Sequence, residues 1–327
     1  MIASCSFVLI IMSVCRFWTS FSRMRKPQVK LLIVISPQTL FFHIRDKVWK
    51  KLQHWKGTLF SAGGKKVMLK AVIQAMPTYF MTLFRLPQSL IYDLHRLMAR
   101  FWWESNASNN KIHWCSWSRL CRSTLESGLG FRDLSLFNQA LLAKSSCPIS
   151  AVWRSILWGR SLLEKGLRWR IGGGKAVSIY NDNWISRPFF FKERPSFLLP
   201  PDAQVSLLKG ASGDWDTKLV RDSFSLEDAE YILSIPPSSC EDAPCWHFDK
   251  LGKFSVKSAH WLASQNPDLA SSSSSAPLAS WWRSFWLLNL PAKVRLFLWR
   301  LCHDWLPSAG SLVRKHISMA GHCHLCI

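Results

Sequence analysis

Apolar residues recur every three to four positions from Leu40 to Trp103, and that period commits the region to helices that must bury one face against each other. Phe41, Ile44, Val48 and Leu52 form one stripe, which breaks at Gly57. Ser61 then suits an N-cap, and Val67, Leu69, Val72, Ile73 and Met76 suit a buried helix ending before Pro77. A third helix is predicted from Pro87 to Trp103, with Leu90, Leu94, Leu97, Met98 and Phe101 on one stripe. Downstream, helices are expected over 133–144, 152–165, 226–233, 258–264, 281–288 and 292–303. Arg168–Ile171 and Ala176–Tyr180 alternate across Gly172-Gly-Gly174 and predict a β-hairpin; Trp246–Phe248 and Lys253–Val256 predict a second. The class is α+β, mainly α. Residues 1–39 carry no consistent period and are unassigned, 40–148 read as a helical bundle, and 149–265 as a helix and β-hairpin region. The run Ser271–Ser275 marks 266–280 as a linker before a last helical segment, 281–327.

Charge narrows the function. Lys and Arg number 42 against 20 Asp and Glu, a net charge of +22, which favours a polyanionic partner: RNA or single-stranded DNA first, an anionic membrane second. The 20 acidic residues are a small pool from which to build a two-metal polymerase or nuclease site. Tyr180-Asn-Asp182-Asn183 offers one carboxylate where such a site needs two, and reads as a turn. Gly172-Gly-Gly-Lys175 and Ala62-Gly-Gly-Lys65 lack the P-loop spacing, and neither lysine is followed by Ser or Thr; a turn and a helix start fit better. No catalytic residue is assigned, and no small-molecule substrate is implied. The candidate nucleic-acid ligands are the clusters Lys47, Lys50, Lys51; Lys65, Lys66, Lys70; and Arg154, Arg160, Arg168, Arg170, the last set beside Trp153, Trp158 and Trp169. Cations among aromatics suit single strands. A solvated basic face over a Trp-filled core suits the same residues equally well. Most of the 19 Trp and 20 Phe are expected in cores, leaving a minority for base stacking.

Ten scattered Cys point to a reducing compartment rather than a disulfide scaffold. Cys323-x-x-Cys326, flanked by His322 and His324, has the ligand spacing of half a zinc site, because a two-residue gap lets both thiolates turn toward one ion. Further ligands would have to come from Cys302, His303 or His316; the expectation is an incomplete, unoccupied site and no cofactor. The apolar segment Met1–Cys15 lacks a basic leader and a clear cleavage site, and is shorter than the ~20 residues of a spanning helix. A nuclear or cytoplasmic protein is therefore expected, a secreted or membrane-tethered one being the alternative.

A set of ordered motifs adds a resemblance. His54-Trp-Lys-Gly57, Leu69-Lys-Ala-Val-Ile-Gln-Ala-Met-Pro77, Leu86-Pro-Gln-Ser89, Phe101-Trp-Trp103 and Lys111-Ile-His-Trp114 come first. Gly128-Leu-Gly-Phe-Arg-Asp133, Phe137-Asn-Gln-Ala-Leu-Leu-Ala-Lys144, Trp153-Arg-Ser-Ile-Leu-Trp-Gly-Arg160, Gly166-Leu-Arg-Trp-Arg170 and Phe254-Ser-Val-Lys-Ser-Ala259 follow. Trp286, Leu290-Pro-Ala-Lys-Val294, Phe297-Leu-Trp-Arg300, Leu306-Pro-Ser308 and Cys323-His-Leu-Cys326 complete the series. From about Leu40 onward the chain resembles plant LINE-type (non-LTR) retrotransposon reverse transcriptases, in the part that follows the polymerase palm. The resemblance implies a thumb-like helical region, a linker region and a zinc-binding domain. The family's polymerase Asp pair and the second half of its zinc site, a His and a Cys, have no counterpart here, and the stretch between Lys144 and Trp153 is shorter than in the family. The implied protein is a degenerate reverse-transcriptase fragment that retains sequence-tolerant RNA or DNA binding without polymerase activity. The alternative is a thumb and zinc-binding part acting in trans with an intact reverse transcriptase.

Overall fold

A computed structural model describes residues 37–56, 60–103, 112–144, 153–187, 199–210, 213–236, 238, 240–265 and 275–315. The first helices are α1 (Pro37–Lys56), α2 (Ala62–Met68), α3 (Thr78–Met81), α4 (Gln88–Trp103), α5 (Trp117–Cys121), α6 (Leu134–Lys144) and α7 (Trp153–Gly166). After strand β1 (Leu167–Arg170) come α8 (Thr217–Ser223), α9 (Leu226–Leu233), strand β2 (Ala243–Trp246) and α10 (Val256–Ser264). The chain continues through α11 (Ser275–Leu287), α12 (Ala292–Cys302) and α13 (Ala309–Val313). This is the α+β, mainly helical class that the periodicities imply. The described residues form two compact units: a helical unit within 37–81, 86–137 and 275–315, and a mixed unit within 82–85 and 138–265. The division falls inside α6, between Phe137 and Asn138.

In the helical unit, α1 buries Ile44, Val48, Leu52 and Trp55 and packs on α4, which buries Leu90, Leu94, Met98 and Phe101. Trp55 and Phe101 meet with ring centroids 6.0 Å apart. Ser61 caps α2 by accepting the Gly64 N–H at 3.1 Å, and the helix widens into a π-helical turn at Leu69–Ile73. That turn sends Leu69 and Ile73 into the core. The buried Gln74 donates Nε2–H to the Arg132 carbonyl at 3.0 Å and accepts the Arg132 N–H at 3.3 Å. Lys70 Nζ donates to the Leu129 carbonyl at 2.9 Å. Together they satisfy the backbone of an irregular segment that would otherwise bury unpaired polar groups. Glycine is required at its start, because a Cβ on Gly128 would lie 2.1 Å from the Arg122 carbonyl oxygen. Indole N–H groups from the C-terminal helices close the same loop: Trp286 donates to the Thr124 carbonyl at 3.0 Å and Trp299 to the Ser127 carbonyl at 2.8 Å.

The mixed unit departs from the hairpin expectation. Strand β1 pairs antiparallel with β2, Leu167 opposite Trp246 and Arg170 opposite Ala243, rather than with 176–180. Both halves of the expected hairpin are taken by later segments. Val205 N–H donates to the Val177 carbonyl at 2.9 Å and Ile179 N–H to the Ala203 carbonyl at 3.0 Å, so 176–180 lies beside 203–205. The intervening glycine loop wraps the Asp242 carboxylate, which accepts the N–H groups of Gly172 at 2.7 Å, Gly174 at 2.8 Å and Ala176 at 3.1 Å. Burial raises the Asp242 pKa, but these three donors and the Lys209 charge outweigh it and hold the carboxyl below its ordinary value. The second expected hairpin is a tight turn: Trp246 N–H donates to the Gly252 carbonyl at 2.9 Å, and Val256 already begins α10. The core here is Ile171, Val177, Ile179, Trp184, Val205, Leu208, Trp215 and Ile232, with a second cluster around Trp246, Leu162 and Ala259. The three fully or nearly buried indoles of these clusters have acceptors: Trp184 donates to the Ile179 carbonyl at 3.1 Å, Trp215 to that of Ile235 at 2.7 Å and Trp246 to Ser258 Oγ at 2.9 Å.

Candidate nucleic-acid interface

Helix α1 carries its core stripe on one side and its cations beside it. At roughly 100° per residue, Lys47, Lys50, Lys51 and His54 fall on the flank counter to Arg45 and Trp49. With Val72 from the π-helical turn and Met76 after it, these four line an open groove of about 480 Å³. It presents ammonium groups on one wall and an apolar floor. Lys51 Nζ sits 5.4 Å from the Trp55 ring centroid, and Lys50 pairs with Asp46 at 2.8 Å across one helical turn. A surface pair of this kind contributes under about 1 kcal/mol and yields to a phosphate at little cost.

The second cluster is placed differently. Lys65 Nζ lies 5.5 Å from the Phe101 ring, Lys66 Nζ 5.0 Å from that of Trp286, and Lys70 Nζ 5.6 Å from that of Phe131. Burial first, and the Arg295 charge second, hold the Lys66 ammonium below its usual pKa. Burial, then Lys66 and Arg132, bring Lys70 down to about 8. These side chains join elements of the helical unit. The four arginines belong to the mixed unit: Arg160 pairs with Glu164 at 2.9 Å, and Arg168 Nε donates to His247 Nδ1 at 3.1 Å. Arg170 is exposed at the end of β1, and the Arg154 side chain lies outside the described residues, although its backbone is in α7. The structure thus gathers Lys47, Lys50 and Lys51 into one groove and distributes the other candidates. Sequence reasoning passed over His54, Val72 and Met76 as groove residues; His54 had a signal in its spacing of four and seven residues from Lys50 and Lys47, whereas Val72 and Met76 had none.

Comparison with known proteins finds relatives of the sequence. Residues 254–327 match the protein family described as zinc-binding in reverse transcriptase. Over 328 aligned positions the chain is 25% identical to an Arabidopsis thaliana protein named "Putative ribonuclease H protein", covering 88% of this chain and 52% of the relative. It is 38% identical over 143 positions to an uncharacterized mitochondrial protein of Arabidopsis thaliana, covering 34% of this chain and 93% of that relative. The chain is a reverse-transcriptase-related protein. It spans about half the length of the first of these relatives.

In the zinc-binding match of this reverse-transcriptase-related protein, Cys323, Cys326 and His316 lie outside the described residues. The upstream candidates do not fit an ion. His303 is stacked between Trp282 (5.2 Å) and Trp305 (4.4 Å); Nε2 lies 3.2 Å from the Ser127 carbonyl and Nδ1 3.5 Å from Arg119. Both ring nitrogens are engaged. Burial, with the Arg119 charge in support, outweighs the Ser127 hydrogen bond and holds the imidazole below its usual pKa. Cys302 is exposed. Among the described residues no group of three or more His, Cys, Asp or Glu is placed to hold a metal, and no helix is long and apolar enough to cross a membrane. Asp182 caps a turn, accepting the Ser178 N–H at 2.8 Å. The Gly172–Gly174 loop turns its N–H groups onto Asp242, an anion nest filled by the protein's own carboxylate.

Proposed function

We propose that this protein derives from a LINE-type retrotransposon reverse transcriptase and binds RNA or single-stranded DNA with little sequence preference, without polymerase activity of its own. The observation that carries this reading is the groove of Lys47, Lys50, Lys51 and His54 over Val72 and Met76. Ammonium groups meet a phosphodiester backbone as point charges and read no sequence, while the apolar floor accepts sugar or base. The net charge of +22 and the family match support the same reading. The ribonuclease H of the relative's name stays with that relative. A chemistry of that kind needs clustered carboxylates, and the matched region is about half of that protein.

The test is anisotropy of labelled single-stranded RNA and DNA oligonucleotides of mixed sequence with the full chain, alongside primer extension on an RNA template. Binding at low salt that weakens in a Lys50→Ala/Lys51→Ala variant, with no extension product, is the expected result. Absence of binding at low salt, or extension that tracks with the polypeptide, would overturn the proposal.

A further inference from the structure

The flank of α1 opposite the lysine groove also carries a small cavity, of about 190 Å³, lined by Phe42, Arg45, Asp46 and Trp49. These residues follow the 3–4–7 spacing of one helical side, away from the buried Ile44, Val48 and Leu52. Phe42 is 66% exposed and Trp49 45% exposed. Two large aromatics left in water on one side of a helix call for a partner with apolar faces. The rest of the flank is polar and held in place: Arg45 pairs with Asp93 at 3.2 Å, and Asp46 with Lys50 at 2.8 Å. Lys50 also lines the groove, so the outer edge of α1, where Asp46 and Lys50 meet, joins the two sites within one helix diameter, about 10–12 Å.

We propose that this flank is a base-stacking site for single-stranded nucleic acid, selecting a base that presents an exocyclic amino group. The inference rests on the groove binding the backbone. A strand whose phosphates lie along Lys47, Lys50 and Lys51 crosses the Asp46–Lys50 edge and lays one unpaired base on Trp49. Stacking on an exposed indole accepts any base. Asp46 supplies the discrimination: an ionised carboxylate only accepts hydrogen bonds, so it favours the two-hydrogen amino group of cytosine, adenine or guanine over the single N3–H of uracil and thymine, which lies between two carbonyls that the carboxylate repels. A protein partner for the same aromatics is the competing occupant. The lysine groove across the Asp46–Lys50 edge favours the nucleic acid.

The experiment is anisotropy with the full chain and labelled oligo(dC) and oligo(dT) across a salt series, for the wild type, Trp49→Ala, Trp49→Phe, Asp46→Asn and Lys50→Ala/Lys51→Ala, each checked for unchanged helical content. Trp49 and Asp46 lie outside the core, so these variants are expected to fold. The wild type should bind oligo(dC) at least about 3-fold tighter than oligo(dT), a preference that Asp46→Asn removes. Trp49→Ala should weaken both by about 5-fold or more with the salt slope unchanged, and Trp49→Phe should retain most of the affinity. If the lysine variant weakens binding while Trp49→Ala binds like wild type, the stacking site is overturned and the groove stands. Loss of the dC preference in none of the variants would overturn the role of Asp46. No binding of either oligonucleotide by the wild type would overturn both readings together.

Discussion

His247 shows where the positive charge of Arg168 is spent inside the fold. Its Nδ1 accepts from Arg168, and burial first, with the Arg168 charge second, pushes the imidazole down from 6.5 to about 4. Between those values the unfolded chain binds a proton that the folded protein refuses, so stability rises with pH across the window. The contribution is complete above about pH 6.5 and is lost as pH falls toward about 4. The urea midpoint of the wild type should therefore drop more between about pH 7 and about pH 4.5 than that of His247→Asn, whose amide oxygen keeps an acceptor for Arg168. Equal drops would show that His247 does not titrate in this way. Arg168→Gln should raise the His247 titration midpoint seen by NMR. Gln74 is the neutral counterpart of such a residue. Gln74→Leu removes both partners of Arg132's backbone and should cost about 1–3 kcal/mol in urea unfolding, whereas a cost near zero would mean the pairing is dispensable.

At the scale of elements, what the sequence displays depends on how local the cause is. The stripe Ile44, Val48, Leu52 names the buried side of α1 because the 3.6-residue period is written in neighbouring positions. Ser61 was legible as a cap for the same reason, and the structure gives it the Gly64 N–H. The partner of β1 was not legible. Arg168–Ile171 and Ala176–Tyr180 flank a glycine turn as a hairpin would, but Asp242 draws the loop's N–H groups and β2 to β1 from more than sixty residues away. The lysine groove was half legible: Lys47, Lys50 and Lys51 stand together in the sequence, yet their floor comes from Val72 and Met76, which a helical period alone assigns to the core. Asp242→Ala tests the strand pairing directly. Loss of three charge-assisted hydrogen bonds should lower stability by about 2 kcal/mol or more, and Gly172→Ala, whose Cβ would lie 1.8 Å from the Cys240 carbonyl oxygen, should do the same. Unchanged unfolding in both would contradict the clamp.

For the whole molecule, the net charge of +22 is shared between roles that the sequence presents as one. Lys66 and Lys70 are half-buried against Trp286 and Phe131, and Arg160 and Arg168 have partners in the mixed unit. Lys47, Lys50 and Lys51 line an open groove instead. Counterion release separates these roles, because only a cation that meets a phosphate contributes to the salt dependence of binding, at a slope of about −0.7 per neutralised phosphate on a single strand. The decisive measurement is the slope of log affinity against log salt for a single-stranded oligonucleotide, compared between the wild type, Lys47→Ala/Lys50→Ala/Lys51→Ala and Lys66→Ala. The groove triple variant should flatten the slope by about 2, from three lost phosphate contacts, while Lys66→Ala lowers stability and leaves the slope of the wild type. A triple variant with the wild-type slope, or a wild type whose affinity does not change with salt, would contradict the assignment of the groove.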